Sequence, residues 1–172
     1  ILYGAELTLT PDALRGIVPG TRAPGWGLAP GSDDPGIRLP ILAASPTGYT
    51  NLVGAMSERA LSAPGERNPR HSLVDLRDAS GDLLVLTGGR RGPLMRALRA
   101  GGVTHARRVL DELADTFGRD QILVEWQAAR GDEDEVGDAL AELARASGTR
   151  LVATAGARMS SPSKQALGDI LA

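Results

Sequence analysis

Asp82-Leu83-Leu84-Val85-Leu86-Thr87, followed at once by Gly88-Gly89-Arg90-Arg91-Gly92, decides the fold of this chain. The aliphatic run leaves no polar face, as in a strand covered on both sides in a parallel sheet. The glycine-rich segment after it reads as a turn. Downstream, two helices are expected near 93–100 and 103–117. In the second, Ala106, Val109, Leu110, Leu113 and Phe117 mark one apolar stripe. Ile122-Leu123-Val124-Glu125-Trp126 repeats the strand pattern, and Leu151-Val152-Ala153-Thr154 repeats it again. Between these two strands, Asp132-Glu133-Asp134-Glu135 opens a helix carrying Val136, Leu140, Leu143 and Ala144. Acidic residues suit the positive end of a helix dipole, and a metal-binding acidic loop is the alternative. Ser161-Pro162 begins a last helix.

Upstream, residues 37–43 form another apolar run, in which Pro40 cannot donate a ladder hydrogen bond. That predicts an edge strand or a bend. Ser45-Pro46 follows as N-cap and first helical residue, with Tyr49, Leu52, Val53 and Met56 at helical spacing. Residues 1–9 read as a strand. Residues 10–36 are rich in Pro and Gly without any period and read as a long surface loop, with Trp26 a local anchor rather than a binding residue. Residues 63–71 read as a second loop. About five strands alternate with five or six helices, which predicts a mostly parallel sheet with right-handed crossovers.

Composition bounds the function. A chain of 172 residues suits one domain with a substantial core. Aromatic residues make up only 3%, so aliphatic side chains must fill that core. A formal charge of −2 gives no bulk electrostatic case for nucleic-acid binding. The absence of cysteine excludes disulfides and thiolate metal sites, and fits a cytoplasmic location. No apolar run reaches the roughly 18–20 residues that a membrane helix needs. The sequence starts without Met, directly on a strand-like run, so we read it as a piece of a longer polypeptide.

Ligands of parallel α/β folds bind at the carboxyl ends of the strands. Those ends are expected to carry Glu6, Ala43 to Ser45, Gly88 to Arg91, Gln127 to Arg130, and Ala155 to Met159. The set offers one carboxylate, several arginines and no histidine. His71 and His105 read as ordinary surface residues, and no Ser–His–acid triad is suggested. A metal cluster needs several converging His, Asp or Glu ligands, which this set lacks. Gly88, Gly89, Arg90 and Arg91 could cradle a phosphate, or form no more than a strand-to-helix turn.

The segments YGAEL, LPILAASPTGYTNLVGAMS, LLVLTGGRRGPLMRAL, FGRDQILVEW and RLVATAGARM together resemble one family over residues 1 to about 172. It is the PHP (polymerase and histidinol phosphatase) domain of bacterial C-family DNA polymerases, the DNA polymerase III alpha subunit and, more closely, its error-prone paralogue. The resemblance implies part of a distorted (β/α)7 barrel, with its N-terminal portion preceding Ile1. It also implies a rim that holds up to three metal ions in active members. Carried over, the family's rim glutamate falls on Glu6. Its histidines fall on Arg38, on Ala129 or Arg130, and on Arg158.

The resemblance therefore implies a degenerate, metal-free PHP domain with a structural role, which has no cofactor and is not itself catalytic. The parent would be an error-prone, translesion DNA polymerase that uses Mg in another domain and meets primer-template DNA there. The partner of this piece would be the rest of that chain, with no membrane. Glu6 is expected to pair bidentately with Arg38 or Arg158, and removing one partner would cost about 3–5 kcal/mol if the pair is buried. The alternatives are a residual metal-dependent phosphoesterase, and a module that binds phosphate or DNA through Arg90, Arg91 and Arg158.

Overall fold

A computed structural model describes residues 2–10, 13–14, 36–66, 69–127 and 133–155. Its elements run β1 (Gly4–Leu9), β2 (Ile37–Ala43), α1 (Pro46–Ser62), β3 (Arg70–His71), α2 (Leu73–Arg77), β4 (Leu83–Leu86), α3 (Pro93–Phe117), β5 (Ile122–Gln127), α4 (Glu133–Ser147) and β6 (Arg150–Thr154). Among the described residues the strands form one sheet in the order β3-β1-β2-β4-β5-β6. Pairs β1–β3, β4–β5 and β5–β6 are parallel. Strand β2 runs against both of its neighbours, β1 and β4. The fold is thus mixed α/β with a mostly parallel, open sheet. This is the mostly parallel sheet expected, with β2 as its antiparallel member.

Pro40 does not make β2 an edge strand. The strand is interior, and proline is tolerated because the ladder to β4 covers only Ile41 to Ala43. Before Pro40, β2 leans instead on the turn after β4, with Arg38 N–H donating to the Arg91 carbonyl at 3.1 Å. Side chains alternate along β2. Ile37, Leu39, Ile41 and Ala43 are buried, whereas Arg38, Pro40 and Leu42 are intermediate. Ile37, Leu39 and Ile41 join Leu7, Leu9, Val85, Ile122 and Val124 in one core with Leu52, Leu94, Leu110, Leu113, Phe117 and Leu140 from the helices. Residues of the opposite alternation are free to line a site.

Helix signals in the sequence hold. Ser45 caps α1, its Oγ accepting from Gly48 N–H at 3.1 Å, and Pro46 opens the helix. The stripe of Ala106, Val109, Leu110, Leu113 and Phe117 is buried. The expected break between the two helices lies inside α3. Gly101 (φ −144°, ψ 18°) and Gly102 (φ 64°, ψ −160°) depart from helical geometry, and Gly102 needs a left-handed φ that suits glycine. The acidic run opens α4, with Leu140, Leu143 and Ala144 buried.

Two short elements escaped the pattern. Residues 70–71 form β3 rather than loop, and α2 follows behind a reciprocal cap between Ser72 and Asp75. His71 is consequently not a surface histidine; it is 4% exposed. Trp26, most of the 10–36 segment and the helix expected from Ser161 lie outside the described residues.

Candidate functional site at the sheet rim

The reversal of β2 decides which residues meet. Its amino end, not its carboxyl end, stands beside the carboxyl ends of β1 and β4. Arg38 therefore belongs to the rim. Ala43 to Ser45 do not, and lie at the opposite end of the sheet. There Ala44 N–H donates to the Asp82 carbonyl, and Ser45 Oγ donates to Asp82 Oδ2 at 2.8 Å.

Glu6 stands in the middle of β1, opposite Pro40, rather than at the strand's end. It shares a face with Thr8 and Arg38 through the alternation of two paired strands. Arg38 Nη1 donates to Thr8 Oγ1 at 3.0 Å, and Arg38 Nε lies 3.8 Å from Glu6 Oε1. The expected pairing exists but is neither bidentate nor buried. The Glu6 side chain is 51% exposed, so the pair falls in the class worth about 0–1 kcal/mol.

A second carboxylate was overlooked. Glu125 on β5 is 4% exposed. Its Oε1 accepts from Gln127 Nε2 at 2.9 Å and from Thr154 Oγ1 at 2.5 Å. Its backbone N–H donates to Thr87 Oγ1 at 2.9 Å. Glu125 Oε2 is buried and makes no hydrogen bond among the described residues. The clue in the sequence was a lone acid inside an otherwise apolar strand, where a charge must find partners on neighbouring strands.

Glu6, Arg38, Glu125, Gln127 and Thr154 line one rim pocket of about 580 Å³ together with the turn from Gly88 to Gly92. The turn is closed by Gly92 N–H donating to the Gly89 carbonyl at 2.9 Å. Gly88 sits at φ +72°, and a Cβ there would come 2.8 Å from the Arg38 carbonyl, so glycine lets the turn lie against β2. Arg90 and Arg91 are exposed on this turn. No group of three or more His, Cys, Asp or Glu side chains converges among the described residues. Ala129, Arg130 and Arg158 lie outside them.

The second histidine is unconnected with the rim. His105 is half-buried on α3, its Nδ1 3.0 Å from the Gly101 carbonyl. His71 closes β3 beside β1, where its carbonyl accepts from Thr10 N–H at 2.8 Å. Burial holds the His71 imidazole below its ordinary range; the Arg59 guanidinium adds to this and Asp75 opposes it.

The family model of the PHP domain matches residues 1–129. The chain belongs to the PHP domain family. This PHP domain is 36% identical over 168 residues to the error-prone DNA polymerase of Mycolicibacterium paratuberculosis, covering 96% of this chain and 14% of that protein. It is 33% identical over 173 residues to the error-prone DNA polymerase of Mycobacterium bovis, covering 99% of this chain and 15% of that one. The DNA polymerase III subunit alpha of Escherichia coli K12 is 33% identical over 119 residues, covering 67% of this chain and 10% of that subunit. The PHP domain thus spans about one seventh of the length of the error-prone polymerases it matches. Its six-stranded open sheet is in keeping with part of a PHP barrel.

Proposed function

We propose that this PHP domain is an architectural unit of a longer, error-prone DNA polymerase chain, its rim organised by hydrogen bonds and arginine rather than by metal. One observation carries the reading: the Arg38 guanidinium lies against Thr8 and Glu6, on the face where metal ligands would have to converge. The donors beside it do not suit a divalent ion. Glu125 already spends one oxygen on Gln127 and Thr154, and a fixed positive charge repels a second cation. Nucleotide addition, its Mg and the contact with primer-template DNA would belong to the rest of such a chain. The cytoplasm is the expected location; no described helix is long and apolar enough to cross a membrane.

Metal analysis tests this reading. After dialysis against Zn or Mn, the protein should hold well under one equivalent, and its melting temperature should stay where it was. One bound equivalent with a raised melting temperature, together with hydrolysis of a chromogenic phosphodiester, would establish the residual phosphoesterase instead.

A second reading is favoured by Arg90 and Arg91, exposed on a glycine turn beside the pocket. They suit a phosphate or a DNA backbone. Fluorescence titration with single-stranded DNA at low and high salt decides: affinity that falls steeply with salt supports this role, and no binding at low salt removes it.

A further inference from the structure

Arg70-His71-Ser72-Leu73 folds as the shortest strand of the sheet and the start of its shortest helix. Strand β3 has two register pairs with β1, Thr8 with Arg70 and Leu9 with His71. One further bond holds it there, from Thr10 N–H to the His71 carbonyl at 2.8 Å. Helix α2 has five residues, far fewer than the roughly 12–15 that sustain a helix alone. It docks through the buried Leu73 and Leu76. Toward α1 it packs thinly, because a groove of about 700 Å³ runs there, lined by Thr10, Asn51, Gly54, Glu58, Val74 and Asp75 among others. A unit with so short a ladder and so few buried contacts opens before the rest of a fold.

His71 sits inside this unit. Its Nδ1 is buried and makes no hydrogen bond. A neutral imidazole can leave one nitrogen unpaired, whereas an imidazolium carries a charge and an N–H on both nitrogens. Burying that charge without a partner is costly. The neighbouring charges do not supply one. Arg59 of α1 has the same sign and is pinned, its Nε donating to the Arg70 carbonyl at 2.6 Å and its Nη2 to Glu66 Oε2 at 3.2 Å. Asp75 of α2 is the opposite charge that bears on the imidazole. Its Oδ2 already accepts from Ser72 N–H at 3.1 Å in the cap of α2, so drawing it to His71 would dismantle that cap. Strand β1 offers Thr8, Leu9 and Thr10, none of which titrates, and Glu58, Arg70 and Asp78 face the groove.

We propose that His71 is a proton-sensitive latch on the β3–α2 unit: a proton on its imidazole releases residues 70–77 from β1 while the rest of the core stays folded. Release would make β1 the edge of the sheet. Thr8 pairs with Arg70 on that side and accepts from Arg38 on its side chain, so the latch acts on the strand that carries Thr8 and Glu6 to the rim. The inference does not rest on whether the rim holds metal or phosphate.

Amide hydrogen exchange read by mass spectrometry tests it, at pH 7.5 and pH 5.5, with rates corrected for the intrinsic effect of pH. Burial holds the His71 imidazole below its ordinary range, so the closed unit resists a proton that the open one takes near pH 6.5. Protection over residues 70–77 should fall between the two pH values by up to about ten-fold, the limit set by one proton. Residues 106–117 of α3 and 122–124 of β5 should keep theirs. In His71→Leu, protection over 70–77 should stay level. Three results overturn the proposal. One is no fall over 70–77 in the unaltered chain. Another is an equal fall throughout the chain, which would mean global loosening. The third is the same local fall in His71→Leu, which would assign it to the carboxylates. The first two need no variant, so they decide even if His71→Leu fails to fold.

Discussion

Glu125 is the residue on which the rim's hydrogen bonding turns. Glu125→Ala would take the acceptor from the half-buried Gln127 amide and Thr154 hydroxyl, and should cost about 1 kcal/mol in urea unfolding. Glu125→Gln keeps an acceptor for them and should cost less than half as much. The Glu6–Arg38 pair should behave differently. A double-mutant cycle of Glu6→Gln with Arg38→Met should give a coupling of about 0–1 kcal/mol that shrinks with added salt. A coupling of 3 kcal/mol or more would mean that the pair is buried in solution. At this scale the sequence was half legible. Arg38 could be placed at the rim by resemblance, but Glu125 could not. Its importance depends on Thr87 and Thr154, which lie 38 and 29 residues away and become its partners only once β4, β5 and β6 are side by side.

At the scale of elements, local chemistry was the most readable. Ser45-Pro46 announced α1, and Ser45→Ala should cost about 1 kcal/mol, because the Gly48 amide loses its acceptor and Asp82 its donor. The Gly101–Gly102 break was also visible. Gly102→Ala should destabilise by about 1–2 kcal/mol through its positive φ, although nothing crowds a Cβ there. Replacing Gly101 instead would drive a Cβ into the His105 ring. Two features were unreadable. β3 is two residues long, too short for any period, and exists because β1 offers it a ladder. The direction of β2 has no local signature at all, since the same alternation serves either orientation.

For the whole molecule, His71 supplies a pH dependence. Its imidazole is held below the ordinary value by burial first and by Arg59 second. The unfolded chain then binds a proton that the folded one resists. Stability is therefore complete above about pH 6.5 and declines as pH falls from there toward the depressed folded-state value. Urea midpoints measured from pH 7.5 to 5 should fall, and His71→Leu should flatten that fall while the remaining carboxylates keep theirs. A parallel pair of curves would show that His71 does not contribute. The core itself was largely legible, because the stripe of α3 and the apolar strands meet as their periods predict. The exposed side of α1 was not, since Tyr49, Val53 and Met56 have the spacing of a core stripe yet are exposed.

The reversed strand has a further consequence, for inheritance. Leu9 and Ile37 are register partners, so the stretch between them leaves and re-enters the sheet at one place, and gains or losses of length there need not disturb the pairing. Within β2 the reverse holds. Deleting one residue between Ile37 and Ala43 would turn the alternation over, sending the Arg38 guanidinium into the aliphatic layer and a leucine into the pocket. Leu14 and Gly36 are themselves buried, so a library of single-codon deletions, scored for soluble protein, should lose fewer clones between those two residues than between Ile37 and Ala43. In descendants of this gene, length should vary more between Leu14 and Gly36 than within β2.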